Sequence, residues 1–462
     1  MRKLLHLIIY VALFAALFAC SNDDDFSSDG NLTLKFSADK IRFDTVFSHI
    51  GSATKQFKIY NRSDKSLVIS SIQIMNPDKS GFRMNIDGEK GTSLSNVEIL
   101  KKDSLFGFIE VTVNAEAENP LLIRDSIRFE TNGNIQYLQL EAVGQDVYIW
   151  KGGRITRDTV ILSKKPLLVY DSIIINKGVT ATFQEGAKIF FRNNASMRIY
   201  GTLKANGSIQ KPVIFRGDRF DRIEGDILYD NVPGQWDGIY FCPESFNNEL
   251  LNVNIRNATR GITFHDSGIK NKKAVLTNTV VQNTAEYGVK ATNCKIEGGN
   301  CRFVNSKGAA LEVIGGAYTF LHCTIANYYQ WDRRIAESLL ISNTISAPLE
   351  KCEFINSIIY GPAIDELYIQ MLASNTFNYK FANCLIKATE ITRSEFINTI
   401  WNADPQFKNL NTSGDYSYNF ELTDGSPAIN KADKAYSTSL PSDLKGQSRL
   451  DNPDIGCYEW IR

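Results

Sequence analysis

The sequence predicts an all-β protein in which a β-sandwich precedes a repetitive coil of strands, closed by a C-terminal capping segment. The 462 residues include 31 glycines and 11% aromatic residues, a composition that suits strands joined by turns. Short alternating segments fill the first part of the chain, and a six-residue pattern recurs in the second part. We divide the chain into segments 1–19, 20–30, 31–149, 150–400 and 401–462.

The charged residues balance, with 51 Lys and Arg against 51 Asp and Glu. Proteins that bind nucleic acids need a clustered basic excess to neutralise phosphates. We therefore expect no nucleic-acid partner, and we expect a monomer.

Segment 1–19 has the features of an export signal, because Arg2 and Lys3 precede an apolar run that ends in the small Ala19. The end of this run, LFAC, resembles the lipobox of bacterial lipoproteins. That resemblance implies acylation of Cys20 and attachment to a membrane through the lipid. The alternative is an uncleaved membrane anchor with an incidental cysteine.

Segment 20–30, CSNDDDFSSDG, is acidic and predicts a solvated tether. Residues 21–25 resemble the acidic signal that sends lipoproteins of the Bacteroidetes group to the outside of the outer membrane. The resemblance implies an outer-membrane lipoprotein that faces the cell exterior. A plain acidic linker is the alternative.

Segment 31–149 predicts a β-sandwich of immunoglobulin-like type, because short strand patterns follow one another at regular spacing. The clearest signal is SIRFETNGNIQYLQLEA, a hairpin in which Asn132-Gly133 tolerates positive φ. The stretch FDTVFSHIGSATKQFKIYNRSDKSLVISSIQI resembles the choice-of-anchor and abnormal-spindle-like modules that precede β-helices in secreted bacterial proteins. Such modules are spacers or binding platforms, and no catalytic set is evident in this one.

Segment 150–400 contains hexads such as NCRFVN and HCTIAN. Steps near 22 residues correspond to one coil, and larger steps correspond to one coil with a protruding loop. The steps between hexads are 26, 22, 22, 29 and 32 when they are aligned on Asn252, Asn278, Asn300, His322, Lys351 and Asn383.

This alignment predicts two columns of stacked side chains. We interpret the first as a ladder of amides that bond to one another and to the backbone; it contains Asn257, Asn283, Asn305, Asn327 and Asn356. We interpret the second as small buried thiols; it contains Cys301, Cys323, Cys352 and Cys384. Equivalent side chains on parallel strands point the same way, which disfavours disulfides, and no CxxC spacing indicates zinc, so no metal is predicted.

The stretch from Ile175 to Gly217, followed by QWDGIYF, resembles the opening rungs of right-handed parallel β-helices of the pectate-lyase-like superfamily. The phrases ADPQF, YNFELTDGSPAIN and DLKGQSRLDNPDIGCYEW resemble the choice-of-anchor segment that follows bacterial β-helices. The resemblance implies a cap over the open edge of the last rung. We interpret Asp443, Arg449 and Asp454 as ion pairs that brace this cap.

Members of this superfamily often act on acidic polysaccharides, either with Lys or Arg beside Ca²⁺ or with clustered carboxylates. The sequence contains neither the paired Asp with Gly-His-Gly typical of polygalacturonases nor an obvious acidic Ca²⁺ cluster in the repeats. We therefore predict non-catalytic binding or adhesion toward extracellular glycans or cell-surface partners, without cofactors. The alternative is a polysaccharide lyase or glycoside hydrolase acting on an acidic polysaccharide, and only this alternative involves Ca²⁺.

Two insertions between the hexads carry the candidate ligand contacts, beginning with NYYQWDRRIAE. Aromatic faces stack on sugar rings and Arg side chains bind carboxylates, so we predict a glycan-contact surface. Its candidate residues are Tyr328, Tyr329, Trp331, Asp332, Arg333, Arg334, Asp365 and Glu366. The alternative is that the aromatic residues only pack the loop on the coil. Hydrolysis would require Asp332 and Glu366 to face each other across a groove. We interpret His265-Asp266 as a turn pair.

Overall fold

The computed structural model describes residues 25–114, 121–162, 164–223, 226–411 and 413–461. The chain divides into two compact units between Asp146 and Val147. The first unit is a β-sandwich and the second is a parallel β-helix, so the predicted fold class is confirmed. The predicted signal segment and Cys20 lie outside the described residues.

Two five-stranded sheets form the sandwich within the part of the chain that the structure describes. The first sheet contains, in spatial order, Lys35–Phe36, Lys55–Tyr60, Ser104–Val111, Phe82–Ile86 and Glu89–Gly91. The second contains Lys40–Phe47, Asn134–Gln145, Leu121–Thr131, Leu67–Ile74 and Ser93–Ile99. A single helical turn, α1, spans Pro77–Ser80. The predicted hairpin forms at Asn132 and Gly133, whose φ values are 52° and 77°.

The start of the described chain lies against the sandwich. Phe26 makes a parallel bridge to Ser66, and Asp25 forms an ion pair with Lys65. The amide of Asn132 in the hairpin turn donates to the carbonyl of Asp29 at 2.9 Å. Residues 25–30 are largely exposed, as predicted, but they do not form a free tether, because the hairpin turn and the neighbouring strand supply backbone and side-chain partners for them.

A typical coil of the β-helix has three strands. One belongs to a sheet of nine strands and two belong to a sheet of nineteen strands, counted over the described residues. All pairings within these two sheets are parallel. The nine-stranded sheet contains Gly153–Ile155, Ser172–Ile175, Ser196–Ile199, Trp236–Phe241, Ala258–Phe264, Val289–Thr292, Leu311–Ile314, Leu339–Ser342 and Leu367–Gln370. The nineteen-stranded sheet contains Tyr148–Trp150, Thr159–Ile161, Leu167–Val169, Thr180–Phe183, Lys188–Phe191, Thr202–Asn206, Val213–Gly217, Asn248–Arg256, Ala274–Thr284, Lys295–Gly299, Arg302–Ser306, Gly316–Leu321, Thr324–Ala326, Leu349–Ile355, Ile358–Tyr360, Lys380–Ala382, Leu385–Ile386, Phe396–Ile397 and Ile400–Trp401. Short hairpins pair Arg222–Ile223 with Ile227–Leu228 and Phe407–Leu410 with Tyr418–Leu422, and 3₁₀ turns span Tyr229–Asn231 and Lys434–Tyr436.

Like side chains stack inside the coil, because parallel strands in register place equivalent residues one above another. The rings of Phe320, Phe354, Phe381 and Phe396 form one such stack, with centroids 5.2, 5.2 and 5.0 Å apart. Burial of this continuous apolar column holds successive coils together.

A ladder of polar side chains occupies one corner of the coil, at the first position of the hexads. Its members have φ near +50°, a conformation that Asn tolerates better than most residues. The amide of Asn278 donates to Asn252 at 2.8 Å, and the amide of Asn300 donates to Asn278 at 3.1 Å. Further along the ladder, Asn356 bonds to Nε2 of His322 at 3.0 Å.

Asn356 rather than Lys351 continues this ladder, so the predicted alignment is wrong at this coil. Lys351 lies inside the strand Leu349–Ile355 and pairs with Ala317. The true step from His322 is thus 34 residues, because two loops rather than one enlarge this coil.

The correction changes both predicted columns. Strand register keeps Asn257, Asn283, Asn305 and Asn327 at one height, but Asn356 is absent from that column. The hydrogen bonds of Asn257, Asn305 and Asn327 run to the backbone, for example from the Asn327 amide to the Gly308 carbonyl at 2.8 Å.

Three of the four cysteines share the predicted position, which is occupied in order by Cys301, Cys323, Ser357 and Cys384. Cys352 instead pairs with Tyr318, so its assignment to the column is wrong. The described cysteines are free thiols and are buried. Burial raises the pKa of the Cys384 thiol to about 12, which leaves it protonated and unreactive at neutral pH.

The C-terminal segment covers a side of the coil. Its buried apolar residues form one cluster with outward-facing residues of the nineteen-stranded sheet, among them Val304, Ala326, Ile358 and Leu385. Within the described residues, the segment adds no strand to the final pair Phe396–Ile397 and Ile400–Trp401. The apolar surface that this segment buries therefore lies on the outer face of the coil, and the predicted cap over the last rung stays a prediction.

A buried polar network holds this segment together, and of the three residues predicted to form ion pairs only Arg449 does so among the described residues. Arg449 has no exposed surface; it pairs with Glu459 and donates to the Gly456 carbonyl at 2.9 Å. Asp443 accepts the backbone N–H of Gln447 at 2.8 Å, and Asp454 accepts that of Asn430 at 2.7 Å. The two aspartates thus brace the segment through backbone groups, whereas Glu459 forms the ion pair with Arg449.

Candidate functional site

The aromatic side chains of the predicted loop pack against the C-terminal segment. Trp331 stacks on Tyr416 with ring centroids 3.9 Å apart. Tyr328 packs on Phe407 and Phe420, and Tyr329 is buried. These contacts agree with the alternative in which the aromatic residues hold the loop in place, although the surface they pack on is supplied largely by the C-terminal segment.

The charged residues of the two insertions are largely committed to partners within the chain. Arg334 binds Glu366 through two hydrogen bonds of 2.9 and 2.6 Å, and the side chain of Glu366 has no exposed surface. Asp332 is exposed and pairs with Lys307, and this pairing lowers the pKa of the Asp332 carboxyl. Asp365 is also exposed and accepts the backbone N–H of Thr389. Arg333 is exposed as well.

The hypothesis of a hydrolytic pair is wrong, because Glu366 is buried beneath Arg334 and cannot face a substrate together with Asp332. It also accepts the hydroxyl of Ser338 at 2.6 Å and the N–H groups of Ser338 and Ala363 at 3.0 and 2.8 Å. A carboxylate with these donors is a structural anchor for the coil.

An open depression of about 620 Å³ lies on the sandwich, lined by Met84, Phe108 and Lys90 among others. Its Arg83 is paired with Glu110 at 3.0 Å. Arg83 and Glu110, two of the charged residues that line this depression, are therefore committed to each other.

The outer face of the nine-stranded sheet carries a different cluster. Successive strands place one outward side chain per coil at the same register position: Arg198, Tyr240, Thr263, Lys290, Glu312, Leu340 and Tyr368. Asp237, Arg260, Glu286, Tyr287 and His265 lie beside this column in the central coils. We call the central part of this surface, Arg198 to Glu312 of the column with these five neighbours, the polar strip.

A recurring glycine lets these coils pack closely. In QWDGIYF, ATRGITF and AEYGVKA the glycines at 238, 261 and 288 separate an outward polar residue from an inward apolar one. A Cβ on Gly261 would lie 2.2 Å from the carbonyl oxygen of Gly288. Only glycine permits this approach, which brings the polar side chains of adjacent coils within bonding distance.

Arg260 organises the centre of the polar strip. It binds Glu286 with two bonds of 2.7 and 2.9 Å and Asp237 with one bond of 3.0 Å. The Tyr240 hydroxyl donates to Asp237 at 2.7 Å and accepts from Arg260 at 3.2 Å. Burial raises the pKa of Tyr240 to about 12, and the bonds to Tyr240 and Glu286 raise the pKa of Arg260. The hydrogen bonds therefore hold these side chains in one arrangement.

The remaining groups of the strip are more accessible. The exposed guanidinium of Arg198 lies 4.9 Å from the centre of the Tyr240 ring. The His265 ring is stacked on the same tyrosine ring, with centroids 6.3 Å apart. Burial, together with Lys273 and Arg198, lowers the pKa of His265 and favours the neutral imidazole. Lys290 pairs with Glu312 at 3.0 Å. These groups can offer hydrogen-bond donors and a ring surface to a ligand lying along the strip.

The polar strip is not predicted from the sequence; of its residues only His265 is among the candidates, as part of a turn pair. Asp266 does form that turn, since it accepts the Gly268 N–H at 3.1 Å and the Asn293 amide at 2.9 Å. The signal that could have found the strip is the glycine at 238, 261 and 288, since its outward neighbours are polar in each coil.

Two classes of site are not found in the described residues. No group of three or more His, Cys, Asp or Glu side chains there is placed to hold a metal ion. Among the same residues, no helix is both long and apolar enough to cross a membrane.

Comparisons with known proteins add little to this picture. No family model matches the chain. Protein bark beetle of Drosophila melanogaster is 26% identical over 135 residues, which make up 29% of this chain and 4% of that protein. The crystal structure of pectate lyase Pel9A is 11% identical, with a TM-score of 0.30, over 68% of this chain and 88% of that one. The PapD-like domain 7 of human CEP192 is 7% identical, with a TM-score of 0.17, over 24% and 85%. The fold assignment therefore rests on the strand pairing.

Proposed function

We propose that this chain binds extracellular glycans along the polar strip, without chemical turnover. The observation that supports this is the column of outward side chains that begins Arg198, Tyr240, Thr263 and Lys290, one on each successive coil. Neighbouring coils are about 4.8 Å apart, so an extended polymer along the coil axis would pass one of these side chains at each step. Arg198 is exposed, whereas Tyr240 and Thr263 are largely buried beneath the surface of the strip. The Arg260 network would hold these groups in place before binding and so lower the entropy cost.

Affinity electrophoresis of the chain in gels containing pectin, alginate or glycosaminoglycans tests this proposal. Arg198→Ala and Lys290→Ala each remove an accessible donor from the strip and should weaken retardation about tenfold. Lys351→Ala is the matched control, because Lys351 is half exposed and pairs with Glu353 on the nineteen-stranded sheet. Equal retardation of all three variants and the wild type would refute a role for the strip.

A polysaccharide lyase or glycoside hydrolase remains the second candidate, because Asp237 and Glu286 converge on Arg260 on one open face. Both carboxylates accept bonds from Arg260, which favours an electrostatic role over proton transfer. Incubation with the same polysaccharides should yield neither unsaturated products nor new reducing ends. Turnover that is lost in Glu286→Gln would replace the binding proposal with the enzymatic one.

We further propose that the chain is anchored to the outer membrane through acylated Cys20 and faces the cell exterior. The basis is the resemblance of LFAC to a lipobox and of the acidic residues that follow to a surface-export signal. Metabolic labelling with an alkyne fatty acid should label the wild type but not Cys20→Ala. Loss of the chain from intact cells after external protease treatment would support the outward orientation.

A further inference from the structure

The first coil of the β-helix contains a cavity at the end of the apolar interior. This coil is built from the strands Tyr148–Trp150, Gly153–Ile155 and Thr159–Ile161, each of which pairs in parallel with a strand of the next coil. The cavity has a volume of about 220 Å³, and all its lining residues belong to the β-helix unit. The apolar interior is therefore accessible from outside at this end.

A glycine leaves the room for this cavity. Gly153 pairs with Ile173, and the same inward column continues through Met197 and Ile239 on the following coils. Those three side chains have no exposed surface, whereas Gly153 adds no side chain to the column. Beyond its chain neighbours, a Cβ built on Gly153 would have one atom within 4 Å, on the Trp150 ring at 3.7 Å. The surrounding chain therefore does not fill this space.

The walls of the cavity are largely apolar, because inward side chains of the first two coils form them. The indole Nε1 of Trp150 already donates to the Ser172 carbonyl at 3.1 Å, so its ring presents an apolar surface. An apolar cavity of about 150 Å³ stays dry and holds a benzene ring, so this larger cavity has room for an aliphatic chain of somewhat more than about six carbons. The apolar lining consists of Trp150, Ile155, Ile161, Leu167 and Ile173.

Two cations stand on the solvent side of the cavity. Arg154 and Arg157 also line it, and both side chains are exposed. Nη1 of Arg154 donates to the neutral Oδ1 of Asn176 at 3.2 Å. Within the part of the chain that the structure describes, neither arginine forms an ion pair. Their charges can therefore act on a ligand.

Two carboxylates lie near these arginines in the sequence, but neither lines the cavity. Asp158 accepts the backbone N–H of Thr180 at 2.8 Å. Asp171 accepts the hydroxyl of Ser172 at 3.3 Å. Both carboxylates thus have other partners, and the cavity combines apolar walls with a positively charged rim.

We propose that this cavity binds a free medium-chain fatty acid. The aliphatic chain would fill the apolar space beside Ile173, where it is removed from water. The carboxylate would accept hydrogen bonds from Arg154 and Arg157, whose planar guanidinium groups match its geometry. The site includes no residue of the polar strip, so it does not rest on the proposed function.

Isothermal titration calorimetry of the full chain with sodium octanoate, below its micellar concentration, tests the proposal. The wild type should bind octanoate, and Arg154→Gln and Arg157→Gln should each weaken binding about tenfold. Lys151→Gln is the matched control, because Lys151 is an exposed cation of the same coil that does not line the cavity. Binding by this control should equal that of the wild type.

Two further ligands separate the contribution of the chain from that of the charge. 1-Octanol has the same chain without the carboxylate and should bind the wild type about tenfold more weakly than octanoate. Acetate has the carboxylate without the chain and should show no binding. Equal affinity for octanoate and 1-octanol would overturn the role of the arginines.

Two substitutions that add volume locate the chain within the cavity. Leu167→Phe and Ile161→Phe each occupy part of the space and should weaken octanoate binding about tenfold. Thermal denaturation verifies that each variant is folded, and the use of two positions guards against one that is not. No binding of octanoate to the wild type, or unchanged binding in both folded variants, would overturn the proposal. Loss of glycan retardation in the polar-strip variants would leave it intact.

Discussion

The carboxylate of Glu366 is buried and depends on one cation. Arg334 supplies two hydrogen bonds to it, and backbone N–H groups and the Ser338 hydroxyl supply the others. Removing one partner of a buried ion pair costs more than the pair contributes, because it leaves an uncompensated charge. Arg334 is therefore a structural residue.

Arg334→Ala should lower the free energy of unfolding by about 3–5 kcal/mol in urea denaturation. Arg333→Ala, one residue earlier and exposed, should change it by no more than about 0.5 kcal/mol. Similar effects of the two substitutions would show that the Glu366 carboxylate finds another partner or becomes solvated.

Trp331→Ala should leave glycan retardation unchanged, because the indole stacks on Tyr416. The same substitution should lower the free energy of unfolding, with about 0.5–1.5 kcal/mol coming from the lost ring pair. Tyr368→Ala, which removes an exposed ring from the nine-stranded sheet, is the comparison for the change in free energy of unfolding. Loss of glycan binding in Trp331→Ala would move the site back to the loop.

At the scale of the coil, the corner ladder contains one titratable member. His322 has no exposed surface, bonds to Asn356 at 3.0 Å, and has an Nδ1 atom without a partner. The Ser437 hydroxyl and the Asp433 backbone carbonyl, both from the C-terminal segment, also bond within this part of the ladder. Burial, with a further contribution from Arg449, lowers the pKa of His322 well below its usual range, so the folded chain holds a neutral imidazole.

Stability should therefore fall under mild acid. An unfolded histidine has a pKa of about 6.5, so below that pH the unfolded chain takes up a proton that folded His322 does not. The free energy of unfolding should be at its full value above about pH 6.5 and should decrease toward pH 5, by at most about 1.4 kcal/mol per pH unit from this residue. His322→Asn should flatten that decrease, because Asn fits the rest of the ladder.

His49→Asn provides the control, because His49 is an exposed histidine on the sandwich that also has positive φ. Urea denaturation between pH 5 and 8 should give the same slope for His49→Asn as for the wild type. An unchanged slope in His322→Asn would show that another group controls the acid sensitivity.

The sequence was sufficient to predict the coil but not the complete register. The hexads at Asn278, Asn300 and His322 align with the observed pairing. The hexad at Lys351 matches the pattern by chance, and the ladder continues at Asn356, where a left-handed corner with φ of 51° suits Asn. Requiring a residue that tolerates positive φ at the first position would have favoured Asn356.

The partners of the predicted contact loop could not be predicted from its own sequence. Tyr416 and Phe420 lie 85 and 92 residues after Trp331 and Tyr328, in a segment expected to lie at the end of the coil. The loop has the composition of a binding surface, yet its rings are used internally. Local composition identifies groups that can bind but not those that remain free to do so.

The whole molecule has separate hydrophobic cores in its two units. Ile72 is buried in the core of the sandwich, and Ile325 is buried in the core of the β-helix. A unit with its own core can unfold as a unit. The sandwich and the β-helix should therefore respond separately to damage.

Ile72→Ala and Ile325→Ala each leave a cavity and should destabilise the affected unit by about 2–5 kcal/mol. Differential scanning calorimetry of the full chain should show one transition lowered by Ile72→Ala and a different one lowered by Ile325→Ala. Parallel shifts of all transitions in both variants would show that the units unfold together.

The position of the C-terminal segment has a consequence for biosynthesis. This segment leaves the ribosome after the coils that it covers, and the surface in question is built from side chains of those earlier coils, including Val304, Ala326, Ile358 and Leu385. A chain wound one coil out of place would present the wrong side chains to it, and its own apolar residues would stay accessible to proteases and chaperones. The C-terminal segment can therefore pack fully only when the preceding coils have formed in the correct register.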